Sequence, residues 1–314
     1  MRFFYLGYIL VFCSFFGSLK GNILDVMENR GIFFWDLDQE TTRSGVLNFQ
    51  GKKSSKILLM DRGVFDVEAK IEAGYEEIYA LLIEPSWIHN EKVKHFIKKH
   101  HTLFKKIFTF DAELLSLDKE KFVYIHPLTP VFVTEYKVFT KSKMVAMQPL
   151  SKKKGHFEYD LRHNVARKFR KFFSAIKPDS IMLPFLDDFY NDFRYGVVIE
   201  NCKEPNYFTE KVTTCFLTGV VPIYRGCPNL GDFYNMKGVI VFDTPSDLKK
   251  ILSNLTEEDY LSRMDAIQEN FKIAYSKYMI DHPTNGPFPK EYFAKILDSI
   301  FSPDKVLQKN GLHL

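Results

Sequence analysis

Cysteine is scarce in this chain. Its 314 residues include four, Cys13, Cys202, Cys215 and Cys227. None forms a CxxC pair or stands at zinc-ligand spacing from a histidine, which excludes a Cys/His metal site. The nine histidines show no ligand spacing among themselves either. Cys202, Cys215 and Cys227 sit among apolar, strand-like neighbours, which suits buried thiols; a disulfide among them remains open. A strong charge bias is also missing. Lys and Arg number 43 against 39 Asp and Glu, for a formal charge of +4. So mild a balance speaks against a nucleic-acid binder, whose basic residues gather into a stripe. It allows an anionic small molecule as partner without requiring one. Internal repeats and low-complexity tracts are absent, so the chain is no solenoid and no disordered linker.

Aromatic residues are abundant, with 31 Phe and 16 Tyr. They fill cores and offer ring faces on which a base or a sugar can stack. Hydrophobic residues at 46% and charged residues at 26% describe a globular chain, and its length suits two domains. After Arg2, the run FFYLGYILVFCSFFGSL from Phe3 to Leu19 is nearly uncharged. Residues 1–21 could be a signal peptide or signal anchor, with membrane association through 3–19 and a place in the secretory pathway. A buried first strand and helix of a cytoplasmic α/β domain is the alternative. The Asn254-Leu255-Thr256 sequon matters only in the first case.

Short apolar runs alternate with helical patterns. Strands are expected at Ile32–Leu37, Lys56–Met60, Ile78–Ile83, Lys106–Phe110, Phe122–His126, Met144–Met147, Tyr195–Ile199, Val220–Tyr224 and Gly238–Phe242. Helices are expected at Asn90–His101, Tyr159–Ile176, Thr209–Leu217, Thr256–Tyr278 and Tyr292–Phe301. This rhythm argues for an α/β chain with parallel sheets covered by helices. A boundary falls within Val131–Gly155. In such sheets ligands bind outside the carboxyl ends of the strands.

Three groups of residues stand at such ends. Glu200-Asn201 follow an apolar strand, and Asn201 offers both a donor and an acceptor; a turn that uses Asn for backbone hydrogen bonds is the plainer reading. Pro205-Asn206-Tyr207-Phe208-Thr209-Glu210-Lys211 opens a helix. Exposed amides at its start and the Lys211 charge would attract a diphosphate, and Glu210 suits the hydroxyls of a ribose or sugar. Gly226-Cys227-Pro228-Asn229 turns at the end of the next strand. Asp36-Leu37-Asp38 has the form of a DxD metal motif but lies far from these groups and is read as coincidence.

IEN…PNYFTEK…LTGVVPIYRGCPN, about 35 residues, resembles the signature region of glycosyltransferase family ten, the α1,3/4-fucosyltransferases, and is most similar to their microbial and viral-type branch. Weaker likeness runs upstream through LLIEPSWI, FTFDAELL and GHFEYDLRHNVARKF. The resemblance implies two Rossmann-like domains facing across a cleft, the GT-B arrangement, with an acceptor-side domain at 22–140 and a nucleotide-sugar-binding domain at 141–314. It implies transfer of fucose from GDP-fucose to a glycan hydroxyl with inversion, no essential metal or other cofactor, and no nucleic-acid partner. By position it assigns donor binding to Arg162, Glu200, Asn201, Tyr207, Thr209, Glu210 and Lys211, and the general base to Glu84. Another nucleotide sugar as donor, or a non-catalytic glycan- or nucleotide-binding relative, would keep the same fold.

Overall fold

A computed structural model describes residues 23–28, 31–36, 55–89, 91–125, 135–150, 155–178 and 187–278. The apolar N-terminal run, the expected helix Tyr292–Phe301, Cys13, and Leu37 and Asp38 of the DxD sequence lie outside these residues. Among the described residues no helix is long and apolar enough to cross a membrane. The chain divides into two compact units, Met1–Pro127 with Tyr292–Leu314, and Leu128–Glu291.

The first unit holds a six-stranded sheet in the order β2-β1-β3-β4-β5-β6. Its strands are β1 (Ile23–Glu28), β2 (Gly31–Asp36), β3 (Lys56–Met60), β4 (Glu77–Leu82), β5 (Lys106–Thr109) and β6 (Phe122–Tyr124). β1 and β2 pair antiparallel, and all other pairs are parallel. Helices α1 (Val67–Glu72), α2 (Lys92–His100) and α3 (Ala112–Leu115) lie between the strands. Ile57, Leu59, Ile78, Ala80, Leu82 and Ile107 meet Val67, Val93 and Ile97 in one core. A strand covered on both faces must be apolar on both, which is why β4 reads as a continuous run.

The second unit holds a parallel five-stranded sheet in the order β11-β10-β9-β7-β8. The strands are β7 (Lys143–Leu150), β8 (Ala175–Pro178), β9 (Phe193–Ile199), β10 (Val221–Arg225) and β11 (Ile240–Val241). The helices are α4 (Phe157–Lys168), α5 (Asp187–Tyr190), α6 (Glu210–Thr218), α7 (Pro245–Asn254), α8 (Glu257–Ser262) and α9 (Met264–Tyr278). From β7 the chain winds outward to β8; from β9 it winds the opposite way to β10 and β11. The strand order therefore reverses between β7 and β9, and the loops after these two strands part there, leaving room for a ligand.

Two expected helices need correction. The one drawn through Ile176 ends at Lys168, followed by a short 3-10 turn at Arg170–Phe172, and Ile176 lies in β8. Pro178 disfavours helix at the residue before it, and the pairing of Ala175 with Ala146 claims the segment for the sheet. The helix drawn from Thr256 to Tyr278 is two, parted at Arg263. There the guanidinium grips Asp259 with two hydrogen bonds, 3.0 and 2.9 Å, and donates to the Lys237 carbonyl at 2.8 Å. The strand expected at Gly238–Phe242 shrinks to Ile240–Val241, because Met236–Gly238 forms a 3-10 turn. Cys202, Cys215 and Cys227 are free and buried.

Candidate functional site

β9 is buried at every position and delivers Glu200 and Asn201 at its carboxyl end, beside the point where the strand order reverses. After a short loop, α6 starts at Glu210 with Thr209 as its N-cap. The helix ends at Gly219, whose φ of 71° is left-handed and whose missing side chain lets Val138 approach; a Cβ there would stand 2.7 Å from Val138 Cγ1.

Glu200 was expected where a ligand could reach it, but it is 0% exposed. The start of α6 folds back over it. The Thr209 amide donates to Glu200 Oε1 at 2.9 Å and the Thr209 hydroxyl to Oε2 at 2.7 Å. Lys211 Nζ lies 3.6 Å from Glu200 Oε2, 3.1 Å from Glu210 Oε1 and 2.9 Å from Thr209 Oγ1. Burial alone would lower the Lys211 pKa, but the Glu210 and Glu200 carboxylates outweigh it and raise the value, so the lysine stays charged. Burial pushes the Glu200 carboxyl up, against the pull of Lys211 and the Thr209 hydrogen bonds.

Across the reversal point, α4 supplies Arg162, 2% exposed. Its Nε donates to the Ile199 carbonyl at 2.8 Å and its Nη2 to Asn201 Oδ1 at 2.9 Å. Asn201 Nδ2 donates in turn to the Tyr207 hydroxyl at 3.2 Å. The planar guanidinium thus ties the helix after β7 to the end of β9. Burial lowers the Arg162 pKa, with the Glu200 carboxylate opposing. The Arg162–Asn201–Tyr207 chain and the Glu200–Thr209–Lys211–Glu210 group share the end of β9, so seven of the eight expected residues gather there.

Glu84, the eighth, belongs to the first unit. It follows β4 by two residues and is partly buried. Its amide and that of Ile83 donate to Asp61 Oδ1 at 3.2 and 3.0 Å.

Asp61 was not expected from the sequence, and Asn229 was marked there only as part of a turn. Asp61 is 8% exposed and stands just past β3 with a left-handed φ of 43°. Nothing in the sequence marks it, because its partners lie 22 and 23 positions away. Asn229 ends the turn after β10. Its Oδ1 accepts from the Asn206 amide at 2.8 Å and its Nδ2 donates to Asn206 Oδ1 at 2.9 Å. Asn206 is left-handed at φ 66°, so this pair fixes the unusual backbone just before Tyr207. The Gly-Cys-Pro-Asn pattern was a usable signal for Asn229. Gly226 in the same turn has no room for a Cβ, which would strike Glu200 Cγ and the Tyr224 hydroxyl.

No family model matches the chain. Over 96 residues it is 29% identical to alpha-(1,3)-fucosyltransferase B of Drosophila melanogaster; the match covers 27% of this chain and 22% of that protein. The chain therefore spans about a fifth of the length of this relative. Among solved structures, that of TarM has a TM-score of 0.53 at 12% identity, over 88% of this chain and 62% of that one. An α1,3-fucosyltransferase with GDP has a TM-score of 0.45 at 11% identity, over 83% of this chain and 78% of that one, a likeness too loose to argue from. The chain is thus similar along a short stretch to a curated fucosyltransferase, and it shares its α/β fold with TarM.

Proposed function

We propose that this chain is an inverting glycosyltransferase of the α1,3/4-fucosyltransferase kind, in its microbial and viral-type branch, which moves fucose from GDP-fucose to a glycan hydroxyl. The observation that carries the reading is the pair of nearly buried cations, Arg162 and Lys211, held in a built polar network at the end of β9. Two fixed positive charges beside a strand-order reversal suit a diphosphate. The short identity to a fucosyltransferase supports the same reading, and the fold shared with TarM is compatible with it.

In this mechanism Glu84 takes the proton from the acceptor hydroxyl as its oxygen attacks the anomeric carbon. The bond from that carbon to the β-phosphate oxygen breaks on the opposite face, and its electron pair leaves with GDP. Arg162 and Lys211 neutralise the charge that gathers on the diphosphate. Glu210 takes ribose or sugar hydroxyls. Asn201 and Tyr207 keep the Arg162 guanidinium aligned. Glu200 and Thr209 act from beneath, holding Lys211 in place.

The test is a thermal-shift screen with GDP, GDP-fucose, GDP-mannose and UDP-sugars, paired with an assay of fucose transfer to a glycan panel. Stabilisation by GDP compounds and transfer from GDP-fucose are expected. Stabilisation by UDP compounds alone would overturn the donor. GDP binding with neither transfer nor donor hydrolysis would make the chain a binding protein.

A further inference from the structure

Among the described residues Phe157 is the most exposed large apolar side chain, 64% accessible. It opens α4, where a polar side chain would serve the helix as well. Its ring is not loose on the surface, for the Arg225 guanidinium carbon lies 5.4 Å from the ring centroid. That guanidinium is locked from below. Nε and Nη2 each reach Glu158 at 3.0 Å, and Nη1 donates to the Asp243 carbonyl at 2.7 Å. Arg225 ends β10, and Asp243 follows β11 by two residues. The Asp243 side chain is 58% exposed; its Oδ1 lies 3.5 Å from Arg225 Nη1 and is also paired with Lys203. An aromatic face and an exposed carboxylate, one of whose oxygens is already ion-paired, therefore flank one fixed guanidinium at the carboxyl edge of the sheet.

The same helix carries Arg162. At about 1.5 Å rise and about 100° per residue, Phe157 stands about 7.5 Å along the axis and about 140° around it from Arg162. The two side chains nonetheless meet paired strand ends, Phe157 at Arg225 and Arg162 at the Ile199 carbonyl, and Arg225 pairs with Ile199. That suits a nucleotide whose diphosphate meets Arg162 and Lys211 while its base reaches the start of α4. Base chemistry then selects among nucleotides. Guanine presents two adjacent donors, N1–H and the 2-amino group, which a carboxylate accepts side by side. Uracil flanks its single N3–H with two carbonyl oxygens, which a carboxylate repels. Adenine has no donor at N1.

We propose that Phe157 and Asp243 form the base-selecting subsite of the donor pocket, Phe157 stacking on the purine and Asp243 accepting from the guanine edge. This rests on the donor-site reading above, and the experiment separates the two. GDP, inosine diphosphate (which lacks the 2-amino group) and UDP are titrated calorimetrically into wild type, D243N, F157A and K211M. Wild type is expected to prefer GDP over inosine diphosphate by about tenfold or more. D243N should bring that ratio close to one, and F157A should weaken GDP and inosine diphosphate alike, by about fivefold or more. A general loss of folding would weaken every ligand in D243N without changing the ratio. GDP binding that K211M abolishes, with the GDP preference intact in D243N, would overturn this subsite and leave the donor site standing. A wild type that binds none of the three would overturn both.

Discussion

Around the end of β9 side chains hold side chains: Glu200, Thr209, Lys211 and Glu210 in one group, Arg162, Asn201 and Tyr207 in the other. At the end of β4 the arrangement differs. A carboxylate just past the neighbouring strand takes two backbone amides, one of them that of Glu84. The first pattern fixes charges in place before any ligand arrives, which suits a site that must neutralise a diphosphate at little cost in reorganisation. The second fixes the backbone that carries Glu84, which holds a proton acceptor at a set place just past the strand.

Substitutions that separate binding from chemistry probe this contrast. The largest effect is expected from E84Q, which keeps the shape and removes the proposed base. Its transfer rate should fall about 10²- to 10⁴-fold while GDP affinity stays within about twofold; equal losses in both would place Glu84 in donor binding. R162K comes next. Lysine keeps the charge but cannot span the Ile199 carbonyl and Asn201 at once, so GDP affinity should fall by about tenfold or more. Unchanged affinity would remove Arg162 from the site.

D61N tests the backbone clamp through its pH dependence. Burial, acting against the Glu84 and Ile83 amides, pushes the Asp61 carboxyl up from 3.8 to about 6. Because the folded value exceeds the unfolded one, the associated stability is fully present below about pH 4 and is lost as pH rises through about 6. Asparagine keeps an acceptor oxygen and tolerates left-handed backbone. At neutral pH D61N should therefore be more stable than wild type, by up to about 3 kcal/mol, with the gap closing towards pH 4. Denaturant unfolding at several pH values checks this, and a gap that does not vary with pH would contradict it. The smallest effect is expected from N229A, which removes two hydrogen bonds to Asn206 and leaves the cations untouched. GDP should bind several-fold more weakly, on the order of 1 kcal/mol, with Lys211-dependent binding retained.

Much of the second unit could be read from the chain. β9 and β10 are apolar runs, α6 between them is bounded by Thr209 and Gly219, and the polar groups gathered at the end of β9 follow from their places at strand and helix ends. The burial of Glu200 could not be read, since it depends on α6 folding back over the strand end. The Arg225–Glu158 pair joins residues 67 positions apart and exists only once the sheet is formed. α7 was legible and was missed: Thr244 and Asp247 form a capping box with Pro245 at the first turn, a local signal that needs no tertiary context. Asp61 shows the opposite limit, because its left-handed φ and its distant amide partners leave no local trace.

The proposed role of the Arg162 and Lys211 cluster at the end of β9 is to hold the diphosphate of a GDP-sugar. Calorimetric titration of GDP into wild type and K211M tests it most directly. Saturable binding to wild type is expected, with a loss of about tenfold or more in the variant. Equal affinity in both proteins would contradict it.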